Sequence, residues 1–173
     1  RDPEAGERNL VAASAILERI LARDRKAPGV AGGLLDILVL RAAVARDRGV
    51  PEEARALIAS AAQLLDSADP KERLRNAIVL EMGSALLARS EGALQDAIAA
   101  YDRILAAIER IPASERTDDE KGLALDLLAG KAEVLLRQSE PAAARRAVEA
   151  AIRAFPPDDP KLADALFVLA EIE

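Results

Sequence analysis

The chain has 173 residues, of which 51% are hydrophobic and 31% are charged, and this composition excludes a disordered chain. It contains no cysteine and no histidine, which excludes disulfides, thiolate nucleophiles, most zinc and haem sites and the usual general base. The net charge of −6 and the scarcity of aromatic residues argue against a nucleic-acid-binding protein. We therefore expect no enzyme activity, no catalytic residue, no metal and no cofactor.

Helix start and stop signals follow one another along the chain. Asp2-Pro3 predicts the start of a first helix, with Asp as N-cap and Pro at the first helical position, and Pro28-Gly29 ends it. A second helix is expected over about 30–48 and a third from Pro51 to about Ser67. Asp69-Pro70 repeats the opening pattern and predicts the start of a fourth helix.

The second half of the chain continues in the same way. A turn at 89–91 leads into a fifth helix that ends near Arg110, and the capping box Thr117 to Glu120 begins a sixth helix that runs to about Gln138. Further helices are expected over about 141–155 and from Asp159-Pro160 to the C-terminus. No stretch alternates as a strand would, so the sequence predicts an all-α protein of about eight helices.

Three of the predicted turns introduce similar segments. The segment that begins at Gly49 aligns with the one at Gly92 at a shift of 43 residues and with the one at Ser139 at a shift of 90 residues. The alignment places small residues in one register (Ala54, Ala97, Ala144) and larger ones four positions later (Ile58, Tyr101, Val148). This pattern is typical of stacked helix pairs and predicts one all-helical repeat domain, 1–173, of four antiparallel hairpins. The hairpins cover roughly 3–48, 51–89, 92–138 and 141–173.

These segments resemble tetratricopeptide repeats (TPR). The best match is 96–105, Asp96-Ala97-Ile98-Ala99-Ala100-Tyr101-Asp102-Arg103-Ile104-Leu105, and the segment 144–155 followed by Pro156 is similar. The successive shifts, 43 residues from Gly49 to Gly92 and 47 residues from Gly92 to Ser139, exceed the family period of about 34, and the Trp-like position is absent. The resemblance implies a right-handed α-solenoid with long helices that binds a peptide or protein or serves as an assembly scaffold. It implies no catalytic residue.

The chain also resembles a computationally designed helical protein. Ala, Leu, Glu and Arg dominate, Asp-Pro helix starts recur, and capping and dipole rules are obeyed at nearly every helix end.

The longest apolar run, around 32–40, is too short to span a bilayer and is interrupted by Asp36. We therefore expect no membrane partner and a soluble protein, cytoplasmic if natural and recombinant if designed.

Most candidate binding residues lie on the second helices of the first three hairpins. Gly32 and Asp36 are four residues apart on one helical face, and Gly122 and Asp126 repeat this spacing 90 residues later. Glycine inside a helix costs about 1 kcal/mol relative to alanine, so these glycines need a reason. The full set of candidate peptide- or partner-binding residues is Gly32, Asp36, Leu40, Gly83, Tyr101, Gly122, Asp126 and Gly130.

Two explanations of this pattern remain open. The glycines either permit close helix crossings, with the Asp residues pointing to water, or they line a groove in which Asp36 and Asp126 pair with Lys or Arg of a bound peptide. A small-molecule pocket is disfavoured by the few aromatic residues. The functional expectation is a non-enzymatic scaffold that binds a peptide or protein, and the alternative is a designed structural module with no natural ligand. The oligomeric state stays open.

Overall fold

A computed structural model of the chain describes residues 3–69, 72–111, 117–153 and 162–172, and all regular structure in these residues is helical. The α-helices are α1 (Pro3–Arg23), α2 (Val30–Asp47), α3 (Pro51–Leu64), α4 (Arg73–Ser90), α5 (Leu94–Glu109), α6 (Asp118–Arg137), α7 (Pro141–Arg153) and α8 (Leu162–Ile172). A short 3-10 helix, Leu65–Ser67, follows α3. The predicted all-α class is confirmed.

The helices form two compact units, residues 1–91 and residues 92–173. The boundary falls at the turn between the second and third predicted hairpins. In the first unit α2 packs against α1, α3 and α4, and α3 also packs against α4. In the second unit α6 packs against α5, α7 and α8, and α7 also packs against α8. Each unit therefore has the same internal arrangement, in which one helix is contacted by the three others.

In the first unit, consecutive helices run antiparallel. Arg48, near the end of α2, forms an ion pair with Glu7 of α1 at 2.6 Å, whereas Gly33, near the start of α2, faces Leu17. α2 supplies half of the apolar core, because three helices cover it on different sides. The buried core residues of this unit are Leu34, Leu35, Leu38, Ala42 and Ala45 of α2, Ala54, Leu57 and Ala61 of α3, and Leu80 and Leu87 of α4.

The α2 and α4 helices run parallel to each other. A Cβ atom built on Gly32 would lie 2.9 Å from Nδ2 of Asn76, and one built on Gly83 would lie 2.9 Å from Cγ1 of Val39. Both contacts join residues 44 positions apart, so the start of α2 meets the start of α4. The glycines allow two helix backbones to approach closely along their length.

The second unit has a separate core. Nε2 of Gln95 in α5 donates to Oε1 of Gln138, which follows α6, at 3.1 Å, and Tyr101 of α5 faces Gly130 of α6, so α5 and α6 are antiparallel. One cluster of buried core residues comprises Ala132, Leu135, Ala144, Ala147, Val148 and Leu162. Tyr101, Ile104 and Val134 are also buried in this unit. Apart from Tyr101, the buried residues named here for both cores are aliphatic, as the scarcity of aromatic residues requires.

The turns that the sequence aligned adopt the same unusual backbone conformation. Gly49, Gly92 and Ser139 have φ values of 75°, 77° and 61°. After Gly49 the N–H of Val50 donates to the carbonyl of Ala45 at 2.9 Å, and after Ser139 the N–H of Glu140 donates to the carbonyl of Leu135 at 2.9 Å. These bonds end α2 and α6 in the left-handed helix cap that glycine favours, and Ser139 adopts it despite its side chain.

The helix starts depart from the predictions at one described position. α3 and α7 begin at Pro51 and Pro141, as expected. α4 begins at Arg73, and just before it the N–H of Glu72 donates to the carbonyl of Asp69 at 2.9 Å, whereas Pro70 itself lies outside the described residues. The predicted Asp-Pro start at Asp159-Pro160 lies outside the described residues, and so does Asp2.

The strained cap at Ser139 gives a stability prediction. We expect Ser139→Gly to raise the free energy of unfolding by about 0.5–1 kcal/mol, because a left-handed conformation costs a residue with a Cβ roughly that much more than glycine. Urea denaturation followed by far-UV circular dichroism measures this change. The matched control is Gly49→Ser, which places the same side chain in the equivalent turn and should destabilise by a similar amount. Equal stability of Ser139→Gly and wild type would contradict the strain.

Candidate functional site

A groove of about 350 Å³ lies between α2 and α4 in the first unit. Two of its lining residues are charged, Asp36 and Arg46, and the others are apolar. The apolar lining residues are Val39, Leu40, Ala42, Ala43, Val79, Met82, Gly83, Leu86 and Leu87. We call this feature the α2–α4 groove. Leu40 is 54% exposed, so a large aliphatic side chain beside the groove is left open to solvent.

The two walls of the groove are built from equivalent sequence positions. When the 43-residue shift is applied to the α2 wall, it gives the α4 wall: Asp36, Val39, Leu40 and Ala43 correspond to Val79, Met82, Gly83 and Leu86. The lining positions on each helix follow a spacing of three and four residues, which is one face of a helix. The groove therefore forms where the same face of two parallel helices opens to solvent.

Asp36 is a half-buried carboxyl group among apolar side chains. Its Oδ1 atom is buried and has no hydrogen-bond partner. Burial raises the pKa of Asp36 above its ordinary value of 3.8, the charge of Arg75 partly opposes this rise, and the charge of Glu72 adds to it. Burial dominates because an ionised carboxylate loses hydration that the surrounding aliphatic groups cannot replace.

Arg46, the other charged residue of the groove, is already engaged. Its Nε and Nη2 atoms donate to Oδ1 of Asp47 at 2.9 and 2.7 Å. Its positive charge is therefore balanced by a neighbour on the same helix. Of the two charged side chains in the groove lining, only Asp36 has a buried polar atom without a partner.

The glycines of α2 and α4 are explained by packing against neighbouring side chains. A Cβ atom on Gly83 would lie 2.8 Å from Cδ1 of Ile58 and 2.9 Å from Cγ1 of Val39, closer than real Cβ contacts allow. Gly32 faces Asn76 and Glu72 and is not part of the groove lining. Gly33 differs, because a Cβ atom built on it would lie 3.6 Å from Cδ1 of Leu17, which is an ordinary van der Waals contact. Close crossing thus accounts for Gly32 and Gly83.

The remaining candidate residues lie in the second unit. Tyr101 is 3% exposed, and its hydroxyl oxygen would lie 3.2 Å from a Cβ atom built on Gly130. Gly122 is buried, whereas Asp126 is exposed. The structure brings Asp36, Leu40 and Gly83 together in the α2–α4 groove, and Tyr101 packs against Gly130. A binding role for Gly122, Asp126, Gly130 and Tyr101 stays a prediction.

Several serine hydroxyl groups are used within their own helices. Ser14, Ser60 and Ser84 donate to carbonyl oxygens three or four residues earlier, at 2.9–3.0 Å.

Across the described residues, no three Asp or Glu side chains are placed to hold a metal ion together. Searched over the same residues, no helix combines the length and the apolar character needed to cross a bilayer.

Sequence reasoning did not identify Val39, Val79, Met82 and Leu86 as groove residues, nor Asn76 as a buried amide. The signal for the groove residues was present in the 43-residue shift, which maps Asp36 onto Val79 and Leu40 onto Gly83. No comparable signal marked Asn76. It is 4% exposed, and its Nδ2 atom has no hydrogen-bond partner, because α4 places it directly against Gly32.

A scan against protein-family models finds no match to this chain, and a search of curated proteins finds no similar sequence.

Two glycine-to-alanine variants separate close packing from helix propensity. Gly33→Ala should raise the free energy of unfolding by about 1 kcal/mol, because alanine is the better helix former and Leu17 leaves room for it. Gly83→Ala should lower the free energy of unfolding by about 1 kcal/mol. The clash of the new methyl group with Val39 and Ile58 costs more than the better helix propensity of alanine gains. Urea denaturation measures both variants. A stabilising Gly83→Ala would refute the close crossing at this position.

The raised pKa of Asp36 predicts a pH dependence of stability. Because the pKa of Asp36 is higher in the folded state, folding favours the protonated carboxyl. The contribution of Asp36 to the free energy of unfolding is therefore most favourable below its ordinary pKa of 3.8 and is lost as the pH rises through the folded-state pKa. At neutral pH, Asp36→Asn should therefore raise the Tm by about 3 °C. The difference between variant and wild type should shrink as the pH falls into the acidic range. A constant difference across this range would contradict the burial of the charge.

Proposed function

We propose that this chain is a non-enzymatic helical-repeat scaffold that binds an amphipathic helical segment of a partner peptide or protein in the α2–α4 groove. The observation that carries the proposal is the groove itself, with its nearly all-apolar walls and the exposed Leu40 beside it. Apolar side chains left open along a concave surface are the usual mark of a docking site.

The dimensions of the groove suit a short helix. The α2 wall runs from Asp36 to Arg46, which corresponds to about 15 Å at the α-helical rise, and the α4 wall from Val79 to Leu87 corresponds to about 12 Å. Two or three turns of a bound helix cover this length. Such a helix places apolar residues at i, i+3, i+4 and i+7 into the groove, as in other helix-in-groove complexes.

The repeat organisation supports a scaffold role. The contacts between α2 and α4 join residues 44 positions apart, close to the 43-residue shift of the sequence, and both units share one pattern of helix packing. In this proposal the hairpins are TPR-like repeats with a right-handed turn, and the groove is a surface that two successive repeats share. The long helices then widen the surface that each repeat presents.

The alternative is a designed structural module whose purpose is its shape. The contacts of Gly32 and Gly83 favour it, because close packing alone explains both glycines. In this alternative the groove is a by-product of helix spacing, and no ligand gains affinity from it. The two proposals differ in whether a helical peptide recognises the groove lining.

Selection of peptides from a phage-displayed library of amphipathic helices, with the full chain as bait, tests the proposal. We expect enriched peptides whose affinity falls at least about tenfold with Leu40→Glu, because a charge then replaces an apolar contact at the groove. The matched control is Val11→Glu on α1, a residue of similar exposure (44%) outside the groove lining, which should leave affinity unchanged.

Two results would contradict the groove as a binding site. One is a selection that enriches no peptide above background, which favours the structural module. The other is enrichment of peptides that bind Leu40→Glu and Val11→Glu as tightly as wild type. Circular dichroism spectra of both variants establish that the helices are intact.

A further inference from the structure

The charged groups of the α2–α4 groove are balanced unequally. Asp36 contributes a buried Oδ1 atom without a hydrogen-bond partner, whereas the guanidinium group of Arg46 makes two hydrogen bonds to Asp47. The lining thus contains an unsatisfied acceptor and a positive charge that is already neutralised. A ligand that brings a donor or a cation gains an interaction with the Asp36 carboxylate, and a ligand that brings an anion meets its negative charge, which Arg75 offsets only in part.

The surroundings of Asp36 within the fold do not satisfy its carboxylate. It lies on α2, the helix that supplies half of the core of its unit, and aliphatic residues occupy the neighbouring groove positions. Arg75 lies close enough to affect its ionisation but does not hydrogen-bond to Oδ1. Asp36 is therefore a polar group that the folded unit leaves unsatisfied and that faces the proposed binding surface.

We infer that the ligand of the α2–α4 groove is an amphipathic helix with a basic side chain at one end of its apolar face, and that this side chain binds Asp36. The inference rests on the proposed peptide-binding function and adds the charge and the position of the determinant. A lysine matches the site because its aliphatic stem can lie along Val39 and Val79 while its ammonium group reaches the carboxylate. Asp36 then acts as a specificity-determining residue, while the apolar walls supply most of the affinity.

Three synthetic peptides test this inference by fluorescence anisotropy with the full chain. Each is a three-turn helix with leucines on one face, and the peptides differ only at the end of that face, where they carry lysine, norleucine or glutamate. We expect the lysine peptide to bind about tenfold more tightly than the norleucine peptide, and the glutamate peptide to bind most weakly.

The matched variants are Asp36→Asn and Asp126→Asn. Asp36→Asn should bring the affinities of the lysine and norleucine peptides to within about twofold, because the charge is removed with little change in shape. Asp126→Asn removes the same charge at an exposed position of α6, 90 residues later, and should keep the full preference for lysine. Because both variants change the net charge equally, a difference between them identifies the local contact with Asp36.

Several outcomes would overturn the inference. They are the absence of a lysine preference in wild type, a preference for glutamate, and an equal loss of preference in the two variants. Binding that shows no charge preference but is weakened by Leu40→Glu would overturn this inference and leave the proposed function standing. Failure of all three peptides to bind at their solubility limit would overturn both. A dimer in sedimentation that Leu40→Glu dissociates would place a second copy in the groove and would also overturn the inference.

Discussion

The first unit depends on the contact of one helix, α2, with three others. A helix covered by α1, α3 and α4 keeps little surface for solvent apart from the groove, where Leu40 is exposed, so its sequence must be apolar nearly all round. The run from Leu34 to Leu40 meets this requirement with one exception, Asp36. The apolar character that makes α2 the centre of the unit is therefore also what makes Asp36 costly, because its charge has few polar neighbours to replace water.

The close approach of α2 and α4 determines both the packing and the shape of the surface. Gly83 brings the backbone of α4 against the side chains of Val39 of α2 and Ile58 of α3, so three helices meet at one position where α4 contributes no side chain. Gly83 also lies in the groove lining. The same residue therefore takes part both in the tight crossing and in the wall of the groove.

Local signals in the sequence predicted much of the fold. Pro51 and Pro141 mark helix starts, and Gly49 and Ser139 mark helix ends, because a fixed φ and a left-handed cap are properties of one or two residues. Asp69-Pro70 carried the same local signal, but α4 begins three residues after Pro70. The 3-10 helix at Leu65–Ser67 and the extended conformation of Ala68 come just before this position.

The candidate site was predictable only in part. Asp36, Leu40 and Gly83 were identified as unusual residues for their helices, and the structure brings these three into one groove. Asp36 and Asp126 looked equivalent in sequence, but one is half-buried and the other is exposed. The position of Asn76 against Gly32 likewise depends on the axial register of two helices, which no single segment of sequence specifies.

The buried position of Tyr101 has a consequence for spectroscopy. The chain contains no tryptophan and a single tyrosine, and this tyrosine lies in the second unit, with its hydroxyl against Gly130. Intrinsic fluorescence therefore reports on the second unit alone, whereas the circular dichroism of the backbone reports on every helix. Because the two units have separate cores, the two signals follow a common curve only if both units melt together. The chain thus carries its own optical label for the second unit.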